Sequence, residues 1–234
     1  MSALRLAVIG DGKMGRLVRD LAAEQGVDVA AFLGRDDVLG AGITAASLNG
    51  ANVAVEFTQP DAAAANVRAC AQAGCAVVCG TTGWDAERAV VIGEVRSAGG
   101  ALLWAPNFSL GVHIFTALVA EAARRAGAAG GFDAHLVETH HTAKLDAPSG
   151  TARQLARVAE QASGTAVPIT SVRVGSVPGT HAFLLDGMFE QLRLVHEARD
   201  RRVFALGALA AARWIVGRRG VFTLDDMLDA SGGA

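Results

Sequence analysis

The apolar positions of this chain follow two rhythms. Residues 4–9 (LRLAVI) form an unbroken apolar run ending at Gly10, and Met14, Leu17, Val18 and Leu21 then recur at helical spacing until Gly26. This pattern predicts a strand, a tight turn and a helix. Runs at 27–33, 51–58, 75–79 and 101–105 read as further strands; between them Pro60 opens an alanine-rich helix that stops at Gly74, and 85–98 reads as another helix. Strands joined by helical crossovers lie parallel, and strands covered on both faces are apolar throughout, as these are. The stretch up to residue 105 is therefore expected to be a Rossmann-like α/β layer.

After Asn107 the rhythm changes. A helix is expected over 110–126, ended by a flexible corner at Gly127, Gly130 and Gly131. A strand runs from 132 toward 140, and a helix over 151–162 follows a polar loop. Strand-like runs at 169–174, 180–185 and 189–196 are separated by GSVPG and DG turns, which reads as a set of antiparallel hairpins. A helix over 200–216 returns the chain toward the first layer. The expected organisation is an α/β domain over 1–109 and 208–234, interrupted by an α+β domain over 110–207.

Composition narrows the function classes. With 51% hydrophobic and 19% charged residues the chain is not disordered. Its apolar runs fall short of the roughly 18 residues that span a bilayer, and its start lacks a cleavable signal pattern, so a cytoplasmic protein without a membrane partner is expected. Twenty-one basic against 23 acidic side chains give a net charge of −2, with no stretch that mixes basic and aromatic residues, so nucleic acid is not an expected partner. Cys70, Cys75 and Cys79 lie in Ala/Val-rich sequence and read as reduced core residues. Only two of the 21 basic residues are lysines, Lys13 and Lys144. Where arginine serves almost everywhere else, a retained lysine marks a place where the ammonium itself is needed.

Gly10-Asp11-Gly12-Lys13-Met14-Gly15 is a GxGxxG string that closes a strand and opens a helix, the context that gives the motif its meaning. The first glycine permits the turn, the second lets backbone approach a pyrophosphate, and the third lets helix and strand pack closely. NAD-selective sites place an acid at the end of the second strand. Here that place reads Phe32-Leu33-Gly34-Arg35, with no acid before Asp36. Arg35 and Lys13 would attract a 2′-phosphate, so NADPH is the expected cofactor; NADH is the alternative, with Asp36 on the ribose. Thr58, Gly80-Thr81-Thr82-Gly83 and Ala105-Pro106-Asn107-Phe108-Ser109 follow three successive strands, on the edge where open α/β sheets bind ligands.

The segment from Glu138 to Thr151 (ETHHTAKLDAPSGT) holds two of the six histidines and one of the two lysines. Backbone amides near Gly150 and Thr151, at the start of a helix, suit a carboxylate, to which His141 or Lys144 would add charge. Adjacent histidines on a strand point apart and no third ligand is supplied in sequence, so no metal is expected.

Taken together, these strings resemble the bacterial dihydrodipicolinate reductase (4-hydroxy-tetrahydrodipicolinate reductase) family of diaminopimelate and lysine biosynthesis. The resemblance rests on the glycine loop with Arg16, Val55-Glu56-Phe57-Thr58, Gly80–Gly83, APNFSLG from Ala105, the string HHxxKxDAPSGT from His140 to Thr151, and Phe204–Ala208 with Trp214. It implies an NAD(P)H-dependent oxidoreductase whose dinucleotide-binding domain is interrupted by a substrate domain that assembles a homotetramer. It also implies His140 as the acid/base residue, Lys144 as the proton donor, and His141, Gly150 and Thr151 as holders of a dicarboxylate substrate. The dinucleotide would meet Gly10–Gly15, Gly80–Thr82 and Ala105–Phe108. The chain departs from many relatives in its shorter glycine loop, in Thr142 and Ala143 where they carry Arg and His, and in lacking their acid near Gly34. A reductase of an amino-acid semialdehyde would share the glycine loop without the His140–Thr151 string, and a non-catalytic NADP sensor is the other rival.

Overall fold

The computed structural model describes residues 4–231. They form two compact units, one built from 4–109 with 202–231 and the other from Leu110–Arg201. In the first unit, β1 (Arg5–Ile9), α1 (Lys13–Glu24), β2 (Asp28–Leu33), α2 (Arg35–Gly40), β3 (Val53–Glu56), α3 (Pro60–Gln72), β4 (Ala76–Cys79), α4 (Asp85–Ser97) and β5 (Ala101–Trp104) alternate as expected. The second unit contains α5 (Leu110–Ala129), β6 (Phe132–His140), α6 (Gly150–Ser163), β7 (Ile169–Arg173), β8 (Thr180–Gly187) and β9 (Gln191–Glu197). The chain then completes the first unit with α7 (Arg202–Ile215), β10 (Gly220–Phe222) and α8 (Leu224–Ser231).

The first unit is a six-stranded parallel sheet in the order β10-β5-β4-β3-β1-β2. The Rossmann-like expectation is correct. Strands β3, β4 and β5 are almost wholly buried, which is why they read as plain apolar runs. Cys70, Cys75 and Cys79 pack in the same core as Ile9, Val67, Trp84 and Leu102. Burial drives their thiols upward, Cys75 to about 12, so they are inert core residues and not nucleophiles. Among the described residues no helix is long and apolar enough to cross a membrane.

The second unit corrects two expectations. Its sheet has the order β7-β6-β8-β9, with β7 parallel to β6, so β7 and β8 do not form a hairpin. The helix between β6 and β7 acts as a crossover, and the hairpin slot beside β6 is taken by β8. Only β8 and β9 form an anticipated hairpin, and its turn falls at residues 188–190, because Asp186 and Gly187 of the expected DG turn stay paired within β8. Gly127 is not a corner but lies inside α5. A Cβ there would stand 2.8 Å from the Ser163 carbonyl oxygen, so its absence lets α5 and α6 approach closely. The helix stops at Gly130, which has a φ of 71°.

The return point also lies earlier than residue 208. All of α7 packs in the first unit, and its Ala205, Gly207, Ala208, Leu209 and Ala212 are buried. A Cβ on Gly207 would come within 1.7 Å of the Phe108 carbonyl oxygen. Gly207→Ala is therefore expected to cost about 1–3 kcal/mol of stability by overpacking. Gly93, exposed in α4 with no atom within 4 Å of a built Cβ, should instead gain about 0.5–1 kcal/mol as alanine. Urea midpoints of the two variants check the opposite signs, and an unchanged midpoint for Gly207→Ala would contradict the close seating of α7.

Candidate active site

At the carboxyl edge of the parallel sheet, the glycine loop is locked from below and open above. A Cβ on Gly10 would meet the Phe57 carbonyl oxygen at 2.1 Å, and one on Gly15 would meet the Gly10 oxygen at 1.8 Å, whereas nothing lies within 4 Å of a Cβ built on Gly12. Gly10 donates its N–H to Leu33 O at 2.8 Å, tying the loop to the end of β2. No side chain caps α1, so the amide groups at its start are left to an anion. These features fit a dinucleotide pyrophosphate, which Gly10–Gly15 would hold. Lys13 and Arg35 are exposed and Met14 is half-buried.

The other strand ends converge on this loop. Thr58 donates its N–H to Thr81 Oγ1 at 2.8 Å, and its methyl carbon lies 3.1 Å from a Cβ built on Gly10. A Cβ on Gly80 would strike the Phe57 ring at 2.0 Å. Both Trp84 and Trp104 donate to the Thr81 carbonyl, at 2.9 and 3.2 Å. Beneath Thr58 lies Glu56, which is fully buried and was not singled out as functional from sequence. Its carboxylate contacts the Thr58 hydroxyl, accepts from Asn66 Nδ2 at 3.2 Å and faces Cys79 Sγ at 3.2 Å. Ala105 and Phe108 are buried, so their side chains serve the core and only their backbone can face a ligand; Thr82 and Pro106 are exposed, and Asn107 is half-buried.

In the second unit, His140 ends β6 with only 8% of its surface exposed. Its Nδ1 is in direct contact with Glu138 Oε2. The other carboxylate oxygen, Oε1, accepts from Arg173 Nη2 at 2.7 Å and from Ser149 N at 3.2 Å. Arg173 also donates to the carbonyls of Lys144 at 3.3 Å and Asp146 at 2.5 Å, so one guanidinium ties β7 to β6 and to the 141–149 loop. Lys144 Nζ donates to Asp146 Oδ1 at 2.6 Å. Ser149 caps α6 by accepting from Ala152 N at 3.1 Å, and its hydroxyl lies 3.4 Å from His181 Nε2. Gly150 and Thr151 occupy the positive end of α6, while His141 turns into an open cleft of about 440 Å³ with Ser176, Pro178, Arg199, Asp200 and Arg201.

The electrostatics follow from burial. Desolvation pushes the Glu138 carboxyl up, but the Arg173 hydrogen bond and the charges of His140 and Arg173 outweigh it and hold the group at about 2. Desolvation lowers His140 against the upward pull of Glu138, with the Lys144 charge acting in the same downward direction. His181 falls to about 4, first by burial and then by the charge of His140. Burial thus favours the neutral form of both His140 and His181. With Glu138 on its Nδ1, His140 is held as the tautomer whose Nε2 is unprotonated, and this atom lies 3.0 Å from a Cβ built on Gly179. A side chain at 179 would block it.

Glu138, His140 and His181 also converge as a potential metal donor set. The Arg173 cation already neutralises that carboxylate at 2.7 Å and opposes a divalent ion. Glu138, Arg173 and His181 escaped the sequence reading. The alternation that puts 138 on the same strand face as 140 was available, but Arg173 and His181 reach the site only through strand pairing, at His140↔Arg173 and Glu138↔His181.

Comparison with known proteins covers both units. Residues 4–108 match the family model described as dihydrodipicolinate reductase, N-terminus, and residues 111–228 match dihydrodipicolinate reductase, C-terminus. The 4-hydroxy-tetrahydrodipicolinate reductase of Xanthomonas euvesicatoria pv. vesicatoria is 41% identical over 229 residues, covering 93% of this chain and 94% of the relative. That of Stenotrophomonas maltophilia is 40% identical over 238 residues, covering 96% and 98%. A dipicolinate-bound dihydrodipicolinate reductase from Paenisporosarcina sp. TG-14 shares the fold, with a TM-score of 0.82 at 21% identity over 95% of this chain and 98% of that one. With both units matched and relatives at this identity spanning nearly their full length, the chain belongs to the dihydrodipicolinate reductase family, whose members are NAD(P)H-dependent oxidoreductases.

Proposed function

We propose that the protein reduces 4-hydroxy-tetrahydrodipicolinate to tetrahydrodipicolinate with NAD(P)H, and that Lys144 and His140 manage the proton. The observation that carries this reading is the ordered cluster of His140, Glu138 and Arg173, which fixes the loop bearing Lys144 beside the start of α6. Gly10–Gly15, with Thr58, Gly80–Thr82 and Ala105–Phe108 at the neighbouring strand ends, would hold the reduced dinucleotide, which would supply a hydride. The 4-hydroxyl must first leave with a ring proton as water, which gives a ring imine conjugated with an alkene; hydride adds to that alkene, and the electron pair left on the neighbouring carbon must take a proton. Burial favours the neutral form of His140, which makes Lys144 the better candidate for the acid whose proton goes to that carbon. His140 then serves as the base that accepts and returns protons through Nε2. His141 and the amide groups of Gly150 and Thr151 fix the substrate's carboxylates.

For the cofactor, the exposed cations Lys13 and Arg35 support a preference for NADPH over NADH. Titrating both dinucleotides at low and high salt tests this, with the NADPH advantage expected to shrink as salt rises. Assembly as a homotetramer is supported by the second sheet. Leu136, Ile169, Phe183 and Leu194 face the core, so alternation turns Val172 and Val195 outward, where they remain 37% and 50% exposed. Light scattering is expected to give four times the chain mass, and a monomer at micromolar concentration would contradict that assembly. The decisive test of function is purified protein with 4-hydroxy-tetrahydrodipicolinate and NADPH. Oxidation of the dinucleotide matched by tetrahydrodipicolinate is expected, whereas binding of NADPH without turnover would favour a sensor.

A further inference from the structure

Read as a dinucleotide loop, the Gly10–Gly15 turn has a carboxylate where the end of β2 has none. A Cβ built on Gly34 would lie 3.2 Å from Asp11 Cγ and 3.3 Å from Asp11 Oδ2. Asp11 therefore occupies, from the glycine loop, the space into which an acid at position 34 would project. We infer that Asp11 is the adenosine-ribose discriminator of this protein: its carboxylate accepts the ribose hydroxyls of NADH and repels the 2′-phosphate of NADPH. The acid that NAD-selective dinucleotide sites place at the end of the second strand is here carried by the loop. This rests on the reading of the loop as a dinucleotide site and adds to it the group that opposes Lys13 and Arg35.

The surrounding contacts leave Asp11 suited to the task. Its backbone is fixed because Arg16 Nε donates to its carbonyl oxygen at 2.7 Å. Its carboxylate is loosely approached by Arg16 Nη2 at 3.9 Å and is 49% exposed, so it remains able to accept hydroxyl donors. The nearby acids are less well placed. Asp37 Oδ2 is occupied by the Gly34 N–H at 2.8 Å, and Asp36 sits in the first turn of α2 with its side chain in solvent. Gly34 itself has a φ of −84°, a conformation open to any residue. A side chain at position 34 is thus opposed by contact with the Asp11 carboxyl and not by backbone strain.

The test uses calorimetric binding of NADH and NADPH to the intact protein, with melting temperatures as a folding control. Asp11→Asn keeps the volume and removes the charge; NADH is expected to weaken about tenfold, the worth of a hydrogen bond to a charged acceptor, while NADPH tightens severalfold. Gly34→Glu alone should not improve NADH binding, because its Cβ meets the Asp11 carboxyl and two carboxylates crowd one place. In Asp11→Gly/Gly34→Glu the acid returns to the strand end, and NADH affinity should recover to within about threefold of the parent. Equal changes for both dinucleotides in Asp11→Asn would overturn the inference, as would loss of NADH affinity in Asp36→Asn but not in Asp11→Asn. If the parent binds neither dinucleotide, it is the reading of the loop that fails. If the parent binds NADH more tightly than NADPH, the proposed NADPH preference fails while the role of Asp11 stands.

Discussion

Lys144→Arg is expected to lower turnover by about a hundredfold or more, the usual effect of losing a positioned acid, with dinucleotide affinity little changed. Arginine keeps the positive charge and can keep the partnership with Asp146, now made by Lys144 Nζ at 2.6 Å. It does not give up its proton in the working pH range. A role confined to holding a carboxylate would therefore survive the exchange, and a role as proton donor would not. His140→Ala should fall by a similar factor, and the double variant should lose less than the product of the two losses if both residues serve one step. Because burial lowers the His140 pKa, the acid limb of kcat/KM should lie below the ordinary imidazole value of 6.5. Near-normal turnover in Lys144→Arg would leave His140 as the residue that delivers the proton.

Arg173→Met is expected to destabilise the protein by about 3–5 kcal/mol near neutral pH, the penalty for stripping one partner from a buried ion pair. Glu138 has no exposed surface, and Arg173 supplies the cation and hydrogen bond that hold it ionised. In the parent, the Glu138 pKa lies at about 2, below its unfolded value of 4.5. Its contribution is thus complete above pH 4.5 and lost as pH falls through the folded value of about 2. Without Arg173 the sign reverses. The buried carboxyl is pushed above its unfolded value, so the penalty shrinks on acidification as Glu138 takes up a proton. Denaturant midpoints near neutrality and at mildly acid pH should show the gap between parent and variant closing, and Arg173→Met/Glu138→Gln should recover part of the loss. A pH-independent gap would mean that Arg173 acts only through the carbonyls of Lys144 and Asp146.

The parts of this molecule that were legible in sequence are those governed by local rules. The strands of the parallel sheet announced themselves because burial on both faces leaves no polar position in β3 or β4 except Glu56. The glycine loop could be read because only glycine fits against Phe57 O and Gly10 O. The second sheet was misread as a hairpin series, since turn residues after β7 resemble those after β8 and only pairing distinguishes them. Strand β10 was missed because three residues on a sheet edge make no periodic signal. In the candidate site, His140, His141 and Lys144 stood out as uncommon residue types in one segment. Arg173 did not, because it is one of many arginines and gains its role from lying opposite His140. The Asp11 carboxylate was hidden for a related reason: the second strand lacked an acid, and nothing in the one-dimensional string says that a loop residue fills the same space.

The split first unit has a consequence for how the protein is made. Residues 110–201 are contiguous, and β6, β8 and β9 with α5 and α6 can come together as soon as they emerge from the ribosome. The larger sheet, though begun first, must wait. Until 202–222 are synthesised, β5 has an open edge where β10 belongs, and the surface that receives Gly207 of α7 at the Phe108 carbonyl is bare. The order of completion along the nascent chain is thus the reverse of the order of initiation.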